Sequence, residues 1–125
     1  MTAQSLAHRA YADTIASTRT DRDTEYRLIA QISHRIKAAA EAGPMEFPRL
    51  VQALNDNQQL WTRLAVDVAD PKNGLPEDLR ARIFFLSEFV QQHTGKVLAR
   101  KGKIAPLLEI NAAILRGLSG RGAPR

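Results

Sequence analysis

The chain has 125 residues, 44% of them hydrophobic and 25% charged, which is enough for one domain with a sizeable core. It contains no Cys, so disulfide frameworks and thiolate chemistry are excluded. It has no run of about twenty apolar residues to span a membrane and no secretory pattern at Met1–Ser5, so a cytoplasmic protein is expected.

Apolar residues recur with the helical period along the whole chain, and Gly- or Pro-containing breakers separate five such segments. The first runs from about Ser5 to Ser17, with a thin stripe of Leu6, Ala10, Tyr11, Thr14 and Ile15. A helix that short and weakly apolar is marginal alone. The second runs from about Asp21 to Ala42. Thr20 with Asp23 resembles a capping box, and Tyr26, Ile29, Ile32, Ser33, Ile36 and Ala40 form the stripe. Gly43-Pro44 ends it.

The third segment, about Glu46 to Ala69, places Phe47, Leu50, Val51, Leu54, Trp61, Leu64, Ala65 and Val68 on one face. Gln58 falls inside this stripe and Asn57 at its edge. Asp70-Pro71 breaks the helix, and Asn73-Gly74 signals a turn. The fourth, about Pro76 to Arg100, opens with Pro76 at the first helical position and Glu77-Asp78 in the first turn, where carboxylates suit the helix dipole. Leu79, Ile83, Leu86, Val90 and Val97 share a face, while Phe84 and Phe85 fall on the far side and Phe89 on the flank. The fifth, about Ile104 to Leu118, takes Pro106 in its first turn and presents Leu107, Leu108, Asn111, Ile114, Leu115 and Leu118. A frayed basic tail follows. The expectation is an all-α, single-domain bundle of about five helices.

No catalytic or cofactor-binding set emerges. His8, His34 and His93 lie far apart, and none has a second metal-type ligand at helical spacing. Ser87 lacks a nucleophile-elbow surround, and no Gly-rich phosphate loop is present. Glu77-Asp78 is explained by a helix start.

Three features invite a functional reading. Asn57 and Asn111 stand on or beside apolar stripes, where an amide must find partners. They either clamp backbone near the Asp70–Gly74 loop or hold a groove in one conformation. Trp61, the only Trp, is either core or contact surface. Phe84 and Phe85 are either covered by neighbouring helices or exposed as a docking patch. The net charge of +5 is also uneven: residues 96–125 carry +6 and residues 1–95 carry −1. A basic end can attract RNA or an acidic partner, or it can simply suit solubility and helix C-termini.

Several elements occur in a fixed order: Asp23-Thr24-Glu25-Tyr26, the N-x-x-L-W of Asn57, Leu60 and Trp61, Asp67, Asn73-Gly74-Leu75-Pro76, Leu79-Arg80-Ala81-Arg82-Ile83, Pro106-Leu107-Leu108-Glu109-Ile110-Asn111 and Gly117-Leu118. Together these elements resemble the FlaF family of flagellar biosynthesis regulators. They span about residues 20–118 and depart from the family pattern at Gln58, Gln59 and Thr20.

The resemblance implies a small cytoplasmic, non-enzymatic protein needed for flagellin production and filament assembly. It further implies that the protein acts with FlbT and engages flagellin in the manner of a secretion chaperone. On that expectation Trp61, Leu64, Phe84, Phe85 and Phe89 supply contact area for a flagellin helix, and Arg80 and Arg82 orient it. The alternative is regulation of flagellin messenger RNA through the basic last quarter, built on Lys96, Arg100, Lys101 and Lys103.

Overall fold

A computed structural model describes residues 24–118. The expected first helix, the Thr20–Asp23 capping box and the basic tail lie outside these residues. Among the described residues the chain is helical, with no strand. Helix α1 covers 24–41, α2 Phe47–Ala69, α3 Glu77–Leu98 and α4 Ala105–Leu118, and a 3-10 turn at Pro44–Glu46 leads into α2. Four of the five expected helices are therefore present here.

Each boundary has a local cause. Gly43 sits at φ 98°, ψ −177°, a conformation open essentially to Gly alone, and it lets α1 turn into Pro44. Pro48 occupies the first turn of α2, where its missing N–H costs nothing. Pro71 pushes Asp70 to ψ 124°, which ends α2. Side chains then knit the loop. Asp70 Oδ1 accepts from the Lys72 N–H at 2.9 Å, Asn73 Oδ1 from the Leu75 N–H at 3.0 Å, and Asn73 Nδ2 donates to Asp67 O at 3.0 Å.

Pro76 stands just before α3 rather than inside it, because its ψ of 148° is extended. Helix α3 also stops at Leu98, two residues before the expected Arg100. There Lys101 N–H reaches back to Lys96 O at 2.8 Å and Arg100 N–H to Val97 O at 2.9 Å, the paired bonds of a Schellman cap. That cap needs a left-handed residue, and Arg100 fills the place with φ 61°. Its guanidinium lies 4.5 Å from the ring centroid of Phe47, which offsets part of the strain by cation–π attraction.

Packing follows the stripes. Ile29, Ile32 and Ile36 of α1, Leu54, Leu60, Trp61 and Val68 of α2, Ile83, Val90 and Val97 of α3, and Leu107 of α4 form one buried cluster. Fully burying a side chain of this size stabilises by roughly 1.5–3 kcal/mol. Helices α2 and α3 run antiparallel: Ser87 Oγ donates to Trp61 O at 3.2 Å, and Gln91 Nε2 to Gln58 O at 3.1 Å. Arg35 of α1 pairs with Asp56 of α2 at 2.9 Å on the opposite flank.

One expected face shifts. Asn57 lies at the buried centre of the α2 stripe and Gln58 at its half-buried edge, the reverse of the periodicity reading. Tyr26, Val51 and Leu79 are more exposed than their stripes suggested, because they lie at stripe edges or near helix ends where neighbours run out.

Candidate functional site

The interior holds an amide network. Asn111 sits on α4 where it meets α1 and α2. Its Oδ1 accepts the Trp61 indole N–H at 2.9 Å, and its Nδ2 donates to Asn57 Oδ1 at 2.9 Å and to Ser33 Oγ at 3.0 Å. Both Asn side chains and Trp61 are fully buried. The amides thus join three helices to one another, and neither clamps the Asp70–Gly74 loop. Asn57 Nδ2 has no hydrogen-bond partner among the described residues, so part of the stabilisation is given back.

This burial redistributes the expected contact residues. Trp61 presents no surface, and Leu64 is half-buried against the core. Arg80 turns toward the end of α2, where its Nη1 donates to Asp70 O at 3.1 Å and Val68 O at 3.4 Å. It satisfies helix-terminal carbonyls that would otherwise lack partners. Arg82, Phe84, Phe85 and Phe89 remain exposed.

The exposed aromatics lie on the outer side of α3. Its buried face is Ile83, Ser87, Val90, Thr94 and Val97. Phe85 points away from that face and is 68% exposed, with Phe89 one turn on at 38%. Phe84, at 46%, falls on a different flank, so the adjacent Phe residues do not form one continuous patch with each other. Phe89 is held in place. Its ring stacks on His93 with centroids 5.4 Å apart and planes 8° from parallel. His93 Nε2 lies 2.6 Å from Lys103 O; because a carbonyl only accepts, that nitrogen carries the proton and donates. Gly102 lets the loop come this close: a Cβ there would stand 3.0 Å from Lys96 Cβ and 3.3 Å from His93 Cε1.

Three basic residues, Lys96, Lys101 and Lys103, stand at that same turn. They surround the end of α3, and among the described residues none pairs with a carboxylate. The Phe89–His93 stack adjoins them through the His93–Lys103 bond. Asp78, Arg82, Phe85, Phe89, Gln92 and Lys96 are separated alternately by four and three residues, the seam of a helix that meets another helix, and all six are exposed.

A cleft of about 210 Å³ between α1 and the start of α2 is lined by His34, Arg35, Glu46 and Arg49 among others. Arg35 and Arg49 are each engaged by a carboxylate, Asp56 and Glu46. Among the described residues no group of three His, Cys, Asp or Glu side chains could hold a metal ion. Among those residues, too, no helix is long and apolar enough to cross a membrane.

The family model described as "Flagellar protein FlaF" matches residues 7–118. No curated protein and no solved structure matches significantly.

Proposed function

The chain belongs to the FlaF family of flagellar proteins, and from that premise we propose that it is a non-enzymatic regulator that captures a helical segment of flagellin on the outer face of α3. The observation that carries this reading is the Phe85–Phe89 pair. Two large apolar side chains stand one turn apart on a helix whose opposite face is anchored in the core. Exposing them costs hydration free energy that a partner recovers on docking, since each aromatic buries roughly 150–250 Å². An amphipathic helix is the partner that fits an exposed helical ridge. Shielding such a segment before export suits a secretion chaperone acting in the cytoplasm together with FlbT.

The direct test is capture of purified flagellin by wild-type protein and by Phe85→Asp. Loss of capture with an unchanged helical circular-dichroism spectrum supports the reading; full retention of binding removes the ridge from it.

A second reading has its own observation. Lys96, Lys101 and Lys103 gather at one turn, and such a cluster can contact the phosphates of flagellin messenger RNA. This reading requires RNA affinity that falls steeply with salt, with a slope set by about three neutralised phosphates.

A further inference from the structure

The ridge on α3 is electrically polar along its length. Glu77 and Asp78 stand at its start, with Arg82 one turn in; Arg80 turns inward to the α2 carbonyls, so the charges left on the outer side at that end sum to −1. Phe85 and Phe89 occupy the middle, flanked by Glu88. At the far end Lys96, Lys101 and Lys103 sum to +3, and Arg100, lying over the Phe47 ring, adds a fourth positive charge beside them. A uniformly anionic polymer laid along this ridge would match the far end and then meet Glu88, Asp78 and Glu77. A partner with acid at one end and base at the other matches throughout.

Helices commonly carry that polarity themselves, with acidic side chains in the first turn and basic ones in the last, because both complement the macrodipole. Matching such a helix to α3 places its acidic first turn over Lys96, Lys101 and Lys103. Its axis then runs opposite to α3, an arrangement in which the two macrodipoles also attract. We infer that the outer face of α3 docks an amphipathic helix antiparallel to itself, with the partner's acidic first turn held by Lys96, Lys101 and Lys103. Asp78 to Lys96 spans about 27 Å at 1.5 Å per residue, so the partner segment is about 18 residues long. The four-three spacing of the ridge lets Phe85 and Phe89 enter its apolar face as knobs. The inference rests on reading the Phe85–Phe89 ridge as a docking surface, and it adds direction and charge to that reading.

The test is selection from a displayed library of 18-residue helical peptides that share one Leu-rich face and carry randomised charges in the first and last turns. The bait is the full chain, with Phe85→Asp as background. The expected result is a fivefold to tenfold enrichment, roughly, of Asp and Glu over Lys and Arg in the first turn, the scale of a few exposed ion pairs. Lys101→Glu/Lys103→Glu should reverse that preference. Because both positions lie in an exposed turn, the variant should keep the wild-type fold; the milder Lys101→Gln/Lys103→Gln should abolish the preference without reversing it. Acid enriched in the last turn, enrichment without polarity, or no enrichment above Phe85→Asp each overturns the inference. So does a 20-nucleotide single-stranded RNA that outcompetes the selected peptides at 0.15 M salt, an outcome that assigns the basic turn to nucleic acid. Polar enrichment in a protein that fails to capture flagellin removes the flagellin reading alone. Flagellin capture on the ridge without peptide polarity removes only this inference.

Discussion

The indole N–H of Trp61 donates to Asn111 Oδ1 at 2.9 Å across fifty residues of sequence, in a site where neither side chain touches solvent. Asn111 passes the connection on to Asn57 and Ser33, so one amide ties α4 to both α2 and α1. Apolar contacts tolerate small rotations of a helix, whereas these bonds do not. The network therefore sets the rotation of α2, and through the Ser87 bond to Trp61 O it also sets that of α3. The side of α3 that faces outward is fixed from the interior.

Asn111→Leu tests that role. It strands the Trp61 N–H and Asn57 Oδ1 in the core, and each stranded group costs about 1–3 kcal/mol. We expect urea denaturation followed by circular dichroism to show a loss of about 2–4 kcal/mol. Adding Trp61→Phe removes one stranded donor, so the double variant should lose less than the sum of the two single losses. Strict additivity would mean that the bond does not couple the two helices.

Arg80→Met should loosen the other end of the bundle. The methionine keeps most of the apolar stem but leaves Val68 O and Asp70 O without their guanidinium donor. A cost of about 1–2 kcal/mol is expected, on the scale of hydrogen bonds from charged groups. Thermal unfolding reads it as a lower Tm. An unchanged Tm would show that water caps these carbonyls equally well.

Arg100 makes a sharper comparison, because backbone and side chain oppose each other there. Its φ of 61° costs an ordinary residue about 1 kcal/mol that Gly does not incur. Its guanidinium on Phe47 returns about 0.5–1 kcal/mol. Arg100→Ala keeps the strain and loses the contact, while Arg100→Gly loses both. Arg100→Gly should therefore stay near wild type and exceed Arg100→Ala by about 1 kcal/mol in denaturant midpoints. Equal values for the two variants would mean that the turn is not strained.

The helices and most buried faces were legible in the sequence because periodicity reports burial directly. Ile29, Ile32 and Ile36, or Ile83, Val90 and Val97, can satisfy their spacing in one way only. Position within a stripe was less legible. Asn57 and Gln58 differ by one step of about 100°, and only the partner waiting on α4 makes Asn57 the interior residue. Arg80 looked like a surface charge because the carbonyls it serves belong to a loop whose path depends on Pro71 and Asn73. The convergence of Lys96, Lys101 and Lys103 was hidden for a similar reason. It depends on a left-handed turn at an arginine, where sequence rules look for glycine. The ridge from Asp78 to Lys96 has a four-three spacing, but only Phe85 and Phe89 among its six positions are apolar, so it makes no apolar stripe that periodicity reports.

The measurement that bears most directly on the account is hydroxyl-radical footprinting of the protein alone and in complex with purified flagellin, read residue by residue by mass spectrometry. Phe85 and Phe89 are exposed, while Trp61 is buried in the core. The account predicts strong protection of Phe85 and Phe89 in the complex and no change at Trp61. Binding that leaves Phe85 and Phe89 as reactive as before, or that newly exposes Trp61, would contradict it.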